Sequence, residues 1–518
     1  MLHALVLLLA PAAPAAVPAH PYTIEYTFRS TEPATHLGDV TVRVTGRDAD
    51  AILFQMPRWY PGRYAIYNFA ANVQEVAARC GDAPTAATKR DITTWAVRCP
   101  RARAVTFSYR VFWNDLNGSM SQIDSTHINL NPGNTFVYVV GHKPDPVTVH
   151  YYGPTGWKVI NGNPAPGPDY RFANYDIMID NPTEISAAFT VDSFKVDRTT
   201  YRVMLHTDQD PGATRGLLVR AIERIVRAEA AMWRQQPMAQ YTFMVHYLDK
   251  NGGDGMEHTT STHISQPVSL AVVAADSAAF MGRIEVFAHE FFHTWNMKRL
   301  RAAELGPWDY TRENPTRTLW IGEGITNYYG ARTLHRAGLV DSAGYLARVA
   351  RAVTQLQNSP GRKLMSAEQS SFNAWFFDAV PLRQKTNFRN TNISYYNKGE
   401  LLGWLLDLDI RARTGGRRTL DDVMRLMWQR FWLGRTTSYY LQGHGYSVAD
   451  FRKAVEDVSG ASYAEFFRRY VAGVDELPYD AVLGKVGLRL TSAEGKYTLE
   501  LDPAAPGSAL GAAWLAGR

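Results

Sequence analysis

Phe287-Ala288-His289-Glu290-Phe291-Phe292-His293-Thr294-Trp295-Asn296 is the stretch from which the rest of the chain can be read. It lies within Ser277–Arg301, where apolar residues recur at three and four positions and predict a helix. At 3.6 residues per turn, side chains four apart lie about 40° apart around a helix, so His289 and His293 face one point. Two neutral imidazoles placed this way can ligate one Zn²⁺, and Glu290 beside them is positioned to take a proton from water. A surface helix that happens to carry two His and a Glu is the ordinary alternative for so short a motif.

A catalytic zinc keeps three protein ligands and one open position, so a third ligand has to be found. Trp320-Ile-Gly-Glu323-Gly-Ile-Thr-Asn327 offers a carboxylate on the next helical stretch, Leu319–Ala337. The intervening Gly306-Pro307 and Asn314-Pro315 give the chain room to turn back. Asn327, one turn after Glu323, is placed to accept a hydrogen bond from the outer nitrogen of His289 or His293.

Two further clusters bear on chemistry. Asn251-Gly-Gly-Asp-Gly255-Met256-Glu257-His258 follows the strand-like run Thr242–Leu248 and leads into alternating sequence from Thr259 to Ile264. A glutamate held there could neutralise a substrate's free amine while the strand edge pairs with the substrate backbone; a Gly-rich turn with an exposed acid is the plainer reading. Ser394-Tyr395-Tyr396-Asn397 opens a helix, and a phenol near a metal can hydrogen-bond an oxyanion, although a Tyr at a helix start usually only packs.

Outward from this centre, the 518 residues allow two to four domains of roughly 100–200 residues. Hydrophobic content of 46% and charged content of 20% exclude global disorder, collagen and coiled coil. A net charge of +6 spread over so long a chain excludes a nucleic-acid-binding stripe, and no nucleic-acid partner is expected. Short alternating runs from Tyr22 to about Val196, punctuated by Gly, Pro, Asn and Asp, predict an N-terminal antiparallel β domain. Its cluster Trp59, Tyr60 and Tyr64 around Pro61-Gly62 either lines a pocket or packs an edge. A mixed α/β region follows and gives way to helices at Ser342–Leu356, Tyr396–Thr414, Leu420–Phe431, Val448–Val458 and Tyr463–Val471. Short strand-like runs return at Gly487–Leu490 and Tyr497–Leu501.

The first twenty residues carry no Lys, Arg, Asp or Glu and pass from apolar Ala4–Ala10 into small-residue Pro11–Ala19, the pattern of an export signal. That run is shorter than the ~20 apolar residues of a membrane span, and no other stretch is long and apolar enough. A periplasmic or secreted location is expected, where Cys80 and Cys99 can form a disulfide; two small core thiols are the equal alternative. Two cysteines exclude a four-thiolate zinc site and leave any metal to His and carboxylates.

Together these residues resemble the glycyl aminopeptidase family of gluzincin zinc metallopeptidases, from Trp59-Tyr60-Pro61-Gly62-Arg63-Tyr64 to about Tyr479. The resemblance implies a multidomain α+β fold: a signal peptide at 1–19, a β domain at 20–198, a thermolysin-like α/β plus helical catalytic domain at 199–479, and a short remnant of a PDZ-like domain at 480–518. It also implies one Zn²⁺ per chain on His289, His293 and Glu323, with Glu290 as general base and acid. Tyr396 matches the transition-state tyrosine. Glu257 matches the glutamate of the exopeptidase motif, with Gly255 and Met256 beside it on the substrate-binding strand.

The expected activity is removal of N-terminal residues from peptides, with small Gly or Ala implied by the family alone. A zinc endopeptidase with the same centre and a catalytically silent peptide-binding protein are the alternatives. Absence of G-x-S-x-G, G-x-x-x-x-G-K-[ST] and G-x-G-x-x-G disfavours serine hydrolases and nucleotide-binding enzymes. Oligomeric state is left open by the sequence.

Overall fold

The computed structural model describes residues 21–248, 253–270, 277–378, 385–434 and 445–517. The expected export segment at 1–19 and residues 251–252 of the Gly-rich turn lie outside them.

In the N-terminal region, alternation does what it predicts: Ile24, Tyr26, Phe28, Val40, Val42 and Val44 all turn inward from a seven-stranded sheet. The strand Thr23–Arg29 pairs antiparallel with Leu37–Thr45 but parallel with Val147–Tyr152, so the sheet is mixed rather than purely antiparallel. A second sheet, built on Ala51–Gln55 and Thr94–Arg98, packs against it, with Phe54 stacked on Phe107 at 4.5 Å. Cys80 and Cys99 are disulfide-bonded with Cα atoms 5.4 Å apart. The first cysteine ends Val73–Cys80, which pairs in the first sheet, and the second directly follows Thr94–Arg98 of the second sheet, so the bond ties two sheets together. A third, small sheet contains Ile128–Leu130 and Thr183–Ser186.

A five-stranded sheet follows, in the order Thr190–Val196, Thr199–Thr207, Gln240–Tyr247, Ser261–Gln266, Asp254–Glu257. The three central strands are parallel and the two outer ones antiparallel to their neighbours. Thr190–Val196 pairs along its length with Thr199–Thr207 and so belongs to this sheet. Tyr241 through Tyr247 is buried throughout because both faces are covered. On one face Tyr201, Tyr241 and Phe243 meet Phe291 of the helix Ser277–Phe292. The other face lies against the N-terminal β region, where Arg202 donates to the Asn161 carbonyl at 2.6 Å.

The helix Ser277–Phe292 is shorter than the expected Ser277–Arg301. Continuing it would carry Lys298, Arg299 and Arg301 along a buried path, so the chain turns back and gives these cations partners. Lys298 pairs with Asp180 at 2.7 Å, and Arg301 donates to the Met297 carbonyl at 3.2 Å. The next helix begins as a π-helical turn, Trp320–Ile325, and continues as Thr326–Arg336. Tyr395–Thr414 is buried almost all round and forms the axis of the helical part. At the C-terminal end the hairpin Leu488–Ala493 and Lys496–Leu501 packs on Ser342–Gln357, with the Tyr497 amide donating to Thr354 Oγ1 at 3.0 Å. The helix Ser508–Leu515, not anticipated in that Ala/Gly-rich stretch, buries Trp514 completely.

Candidate active site

The helix Ser277–Phe292 crosses the five-stranded sheet and presents His289 and His293 at its end toward Glu323, which sits on the π-helical turn. His289 Nε2 and His293 Nε2 are 3.0 Å apart, and Glu323 Oε2 lies 3.4 Å from the first and 3.1 Å from the second. The outer nitrogen of His293 faces the Asn296 carbonyl at 2.8 Å, which points its inner nitrogen at the cluster. The Asn296 amide in turn donates to the Ile321 carbonyl and to Thr326 Oγ1, both at 3.0 Å, stapling the histidine segment to the turn that carries Glu323. The place offered to Asn327 at His293 is thus taken by a backbone carbonyl; Asn327 lines a neighbouring cavity of about 410 Å³ with Arg348, Tyr396 and Glu400.

Why Glu323 and Tyr396 come together is a matter of two glycines. A Cβ on Gly324 would lie 2.4 Å from Gly399 Cα, and one on Gly399 would lie 2.4 Å from the Trp320 carbonyl oxygen. Only bare backbones let the helix Tyr395–Thr414 approach the π-helical turn this closely. Tyr396, in the first turn of that helix, brings its ring to 6.2 Å from the His289 ring and lies half-buried. Burial, followed by the Glu323 charge, pushes its phenol well above the usual range.

Glu290 is buried, and its Oε2 has no hydrogen-bond partner. Burial raises its carboxyl well above the ordinary range, with His293 opposing and Glu257 and Glu323 adding to the rise. Glu257, Glu290 and His293 offer ligand atoms within 4.8 Å of one another. Burial alone would lower His293, but Glu323 overcomes it and lifts the imidazole to about 10. The same contact, against burial, holds Glu323 well below the usual carboxylate range. Three carboxylates around two imidazoles, one of them orphaned and buried, make an acidic pocket that calls for a cation. The His₂Glu donor set fits Zn²⁺ with a position left open.

Gly255, Met256 and Glu257 lie on the outermost strand, Asp254–Glu257, which is paired on one side only among the described residues. The strand runs against the helix so closely that a Cβ on Gly255 would sit 2.3 Å from Glu290 Oε1. Met256 and Glu257 are buried.

The N-terminal β region reaches this centre, which no local pattern announces. Tyr64 Oη lies 3.4 Å from Glu323 Oε1, Arg63 pairs with Asp254 at 2.5 Å, and the Tyr64 amide donates to Asp378 at 3.0 Å. Of the two readings open for the aromatic cluster, lining a site holds for Tyr64, while Trp59 packs edge-on against Trp308 and Trp375. Asp378 also receives the Tyr395 hydroxyl at 3.4 Å and borders a cavity of about 170 Å³ shared with Phe377 and Tyr396.

An open-edged sheet crossed by an HExxH helix, with two histidines meeting a downstream glutamate in an acidic pocket, defines a metallopeptidase. Residues 25–187 match the peptidase M61 N-terminal domain, and residues 282–402 match the M61 glycyl aminopeptidase. The two matches together span more than half of the sequence, and the chain belongs to the M61 glycyl aminopeptidase family. Among solved structures, it is similar to an aminopeptidase N family protein from Idiomarina loihiensis, with a TM-score of 0.82 at 24% identity over 90% of this chain and 79% of that one. An M1 zinc metallopeptidase from Deinococcus radiodurans gives a TM-score of 0.54 at 14% identity over 88% of this chain and 96% of the other. A mutant of that enzyme bound to a Tyr-Ser-Ala substrate gives 0.53 at 15% identity, over 88% and 95%. At these identities the likeness concerns the fold. The comparison with curated protein sequences gave no match.

Proposed function

We propose that this zinc-dependent peptidase is an aminopeptidase that releases small N-terminal residues from peptides. The observation that carries the reading is the position of Glu257, on a strand paired on one side only among the described residues and offering a ligand atom within 4.8 Å of those of Glu290 and His293. A substrate laid along that edge meets an acid that can hold its free amine one residue before the bond to be cut.

His289, His293 and Glu323 would hold the zinc. Bound there, a zinc ion would supply Lewis acidity for a carbonyl and would make water far easier to deprotonate. Glu290, in dry surroundings with a free oxygen, takes a proton from the attacking water and returns it to the leaving amine. Tyr396, with its phenol kept protonated, donates to the oxygen on which charge develops. Tyr64 lies against the outward oxygen of Glu323 and, with Asn296 at His293, fixes the donor atoms. The preference for Gly or Ala is supported by the family alone. The Cys80–Cys99 disulfide supports an exported protein.

Turnover of glycyl and alanyl amides, free and N-acetylated, by wild type and Glu257→Ala tests this. An aminopeptidase cleaves only the free amides and loses most of that activity in Glu257→Ala. Equal cleavage of acetylated and free substrates would make the protein an endopeptidase instead.

A further inference from the structure

A second group of donors lies on the face of the five-stranded sheet turned away from the HExxH helix. His206 and His246 are direct cross-strand partners there, in line with Met204 and Met244 and opposite in facing to Tyr201, Tyr241 and Phe243. The N-terminal β region brings His127 and Glu184 down onto them. Glu184 is the register partner of Asn129 in the small sheet, and His127 immediately precedes that strand.

The four side chains converge on one point. Glu184 Oε1 lies 3.0 Å from His127 Nδ1 and 2.9 Å from His206 Nδ1, while Oε2 lies 3.1 Å from His246 Nε2. All four donor atoms fall within 4.8 Å of one another. At the first site the corresponding carboxylate–imidazole separations are 3.1 and 3.4 Å. Around the four stands a shell of the kind that orients metal ligands. The outer nitrogen of His127 meets Gln122 Oε1 at 2.9 Å, that of His246 meets His263 Nε2 at 3.1 Å, and Asn129 donates to Glu184 Oε2 at 3.0 Å.

We propose that His127, Glu184, His206 and His246 form a second metal site, structural rather than catalytic, that takes Zn²⁺ and clamps the N-terminal β region to the peptidase sheet. Three imidazoles and one carboxylate are a complete tetrahedral set for zinc, with no position left for water or substrate. Burial agrees with that role: His127, Glu184 and His246 are fully enclosed, and His206 is 2% exposed. Two ligands come from each side of the junction, so the ion would cross-link parts of the chain that share no strand pairing there. The one Zn²⁺ per chain expected from the sequence becomes two. This inference stands apart from the aminopeptidase reading, since it uses none of the same residues.

The test is metal content and X-ray absorption on the full chain with the first site removed. The His289→Ala/His293→Ala protein, in which the buried cluster is untouched, is incubated with Zn²⁺ alone and dialysed. One retained equivalent per chain, with an absorption spectrum that fits about three imidazoles in the first shell, supports the site. Retention of none overturns it and leaves Glu184 as a hydrogen-bonded hub. One equivalent with a shell lacking imidazole also overturns it, because the ion is then elsewhere. Loss of activity in this variant reports on the first site only, so the two readings fail separately.

Discussion

The Arg63 guanidinium lies 2.5 Å from the Asp254 carboxylate, a contact that spans 191 positions of sequence. One partner belongs to the aromatic turn of the N-terminal β region and the other begins the edge strand that carries Glu257. The Gly118 amide donates to the same carboxylate at 3.1 Å, so the strand's first side chain is held from the N-terminal side while its backbone pairs with Ser265 in the peptidase sheet. Arg63→Ala is expected to lower kcat/KM on free aminoacyl amides about tenfold, or ~1.4 kcal/mol, mainly through KM, with Arg63→Lys recovering part. Unchanged kinetics would remove the N-terminal region from substrate positioning.

Glu290→Gln keeps the shape of the side chain and removes its capacity to take a proton. A fall in kcat of about 10²–10⁴ is expected, with metal content unchanged. Full activity in this variant would exclude Glu290 as the base.

Zinc has to displace the proton that Glu323 stabilises on His293, whose pKa is lifted to about 10. Apparent zinc affinity should therefore rise with pH throughout the range below that value and weaken as the medium is acidified. Competition with a chromophoric chelator at several pH values measures this. An affinity independent of pH would contradict the proposed ligand set. Stripping the metal is expected to abolish turnover, and Zn²⁺ should restore it.

Asp180 is buried, which alone would raise its carboxyl, but Lys298 and His258 hold it well below the usual range. Its ionisation therefore stabilises the fold fully above the unfolded value of about 3.9, and this contribution is lost as pH falls below that toward the folded value. Asp180→Asn removes the carboxylate that pairs with buried Lys298 and is expected to cost ~3–5 kcal/mol at neutral pH. Denaturant melts of both proteins from neutral to acid pH should show the gap closing as the medium becomes acidic. A constant gap would assign the loss to packing.

The disulfide between Cys80 and Cys99 closes a loop with a sequence separation of 19, worth about 3 kcal/mol. Cys80→Ser/Cys99→Ser should lower the unfolding free energy by that order while leaving kcat unchanged at 25 °C, since neither cysteine touches the candidate active site. A change in kcat without a change in stability would contradict this.

How far the sequence can be read follows the range of the interaction involved. His289, Glu290 and His293 are legible because helical spacing alone brings them together, and Glu323 because a zinc site needs a third donor downstream. The strand alternation in Tyr22–Phe28 and Val40–Val44 is legible for the same local reason. Ser277–Arg301 reads too long because periodicity cannot register that Lys298 has a buried acid waiting in Asp180. Tyr64 at Glu323 and Arg63 at Asp254 depend on how one sheet docks on another, for which no pattern exists in the chain. The His127, Glu184, His206 and His246 cluster is hidden twice over. It requires the register of two parallel strands and the docking of a third sheet upon them.

The contact between Gly324 and Gly399 has a consequence for heredity. Each position is closed to side chains by the other's backbone, so enlarging one cannot be relieved by trimming the other, which is already bare. Ordinary compensation between neighbours is unavailable at this pair. In a library covering every codon, these two should stand empty together under selection for peptide hydrolysis, though they are 75 codons apart.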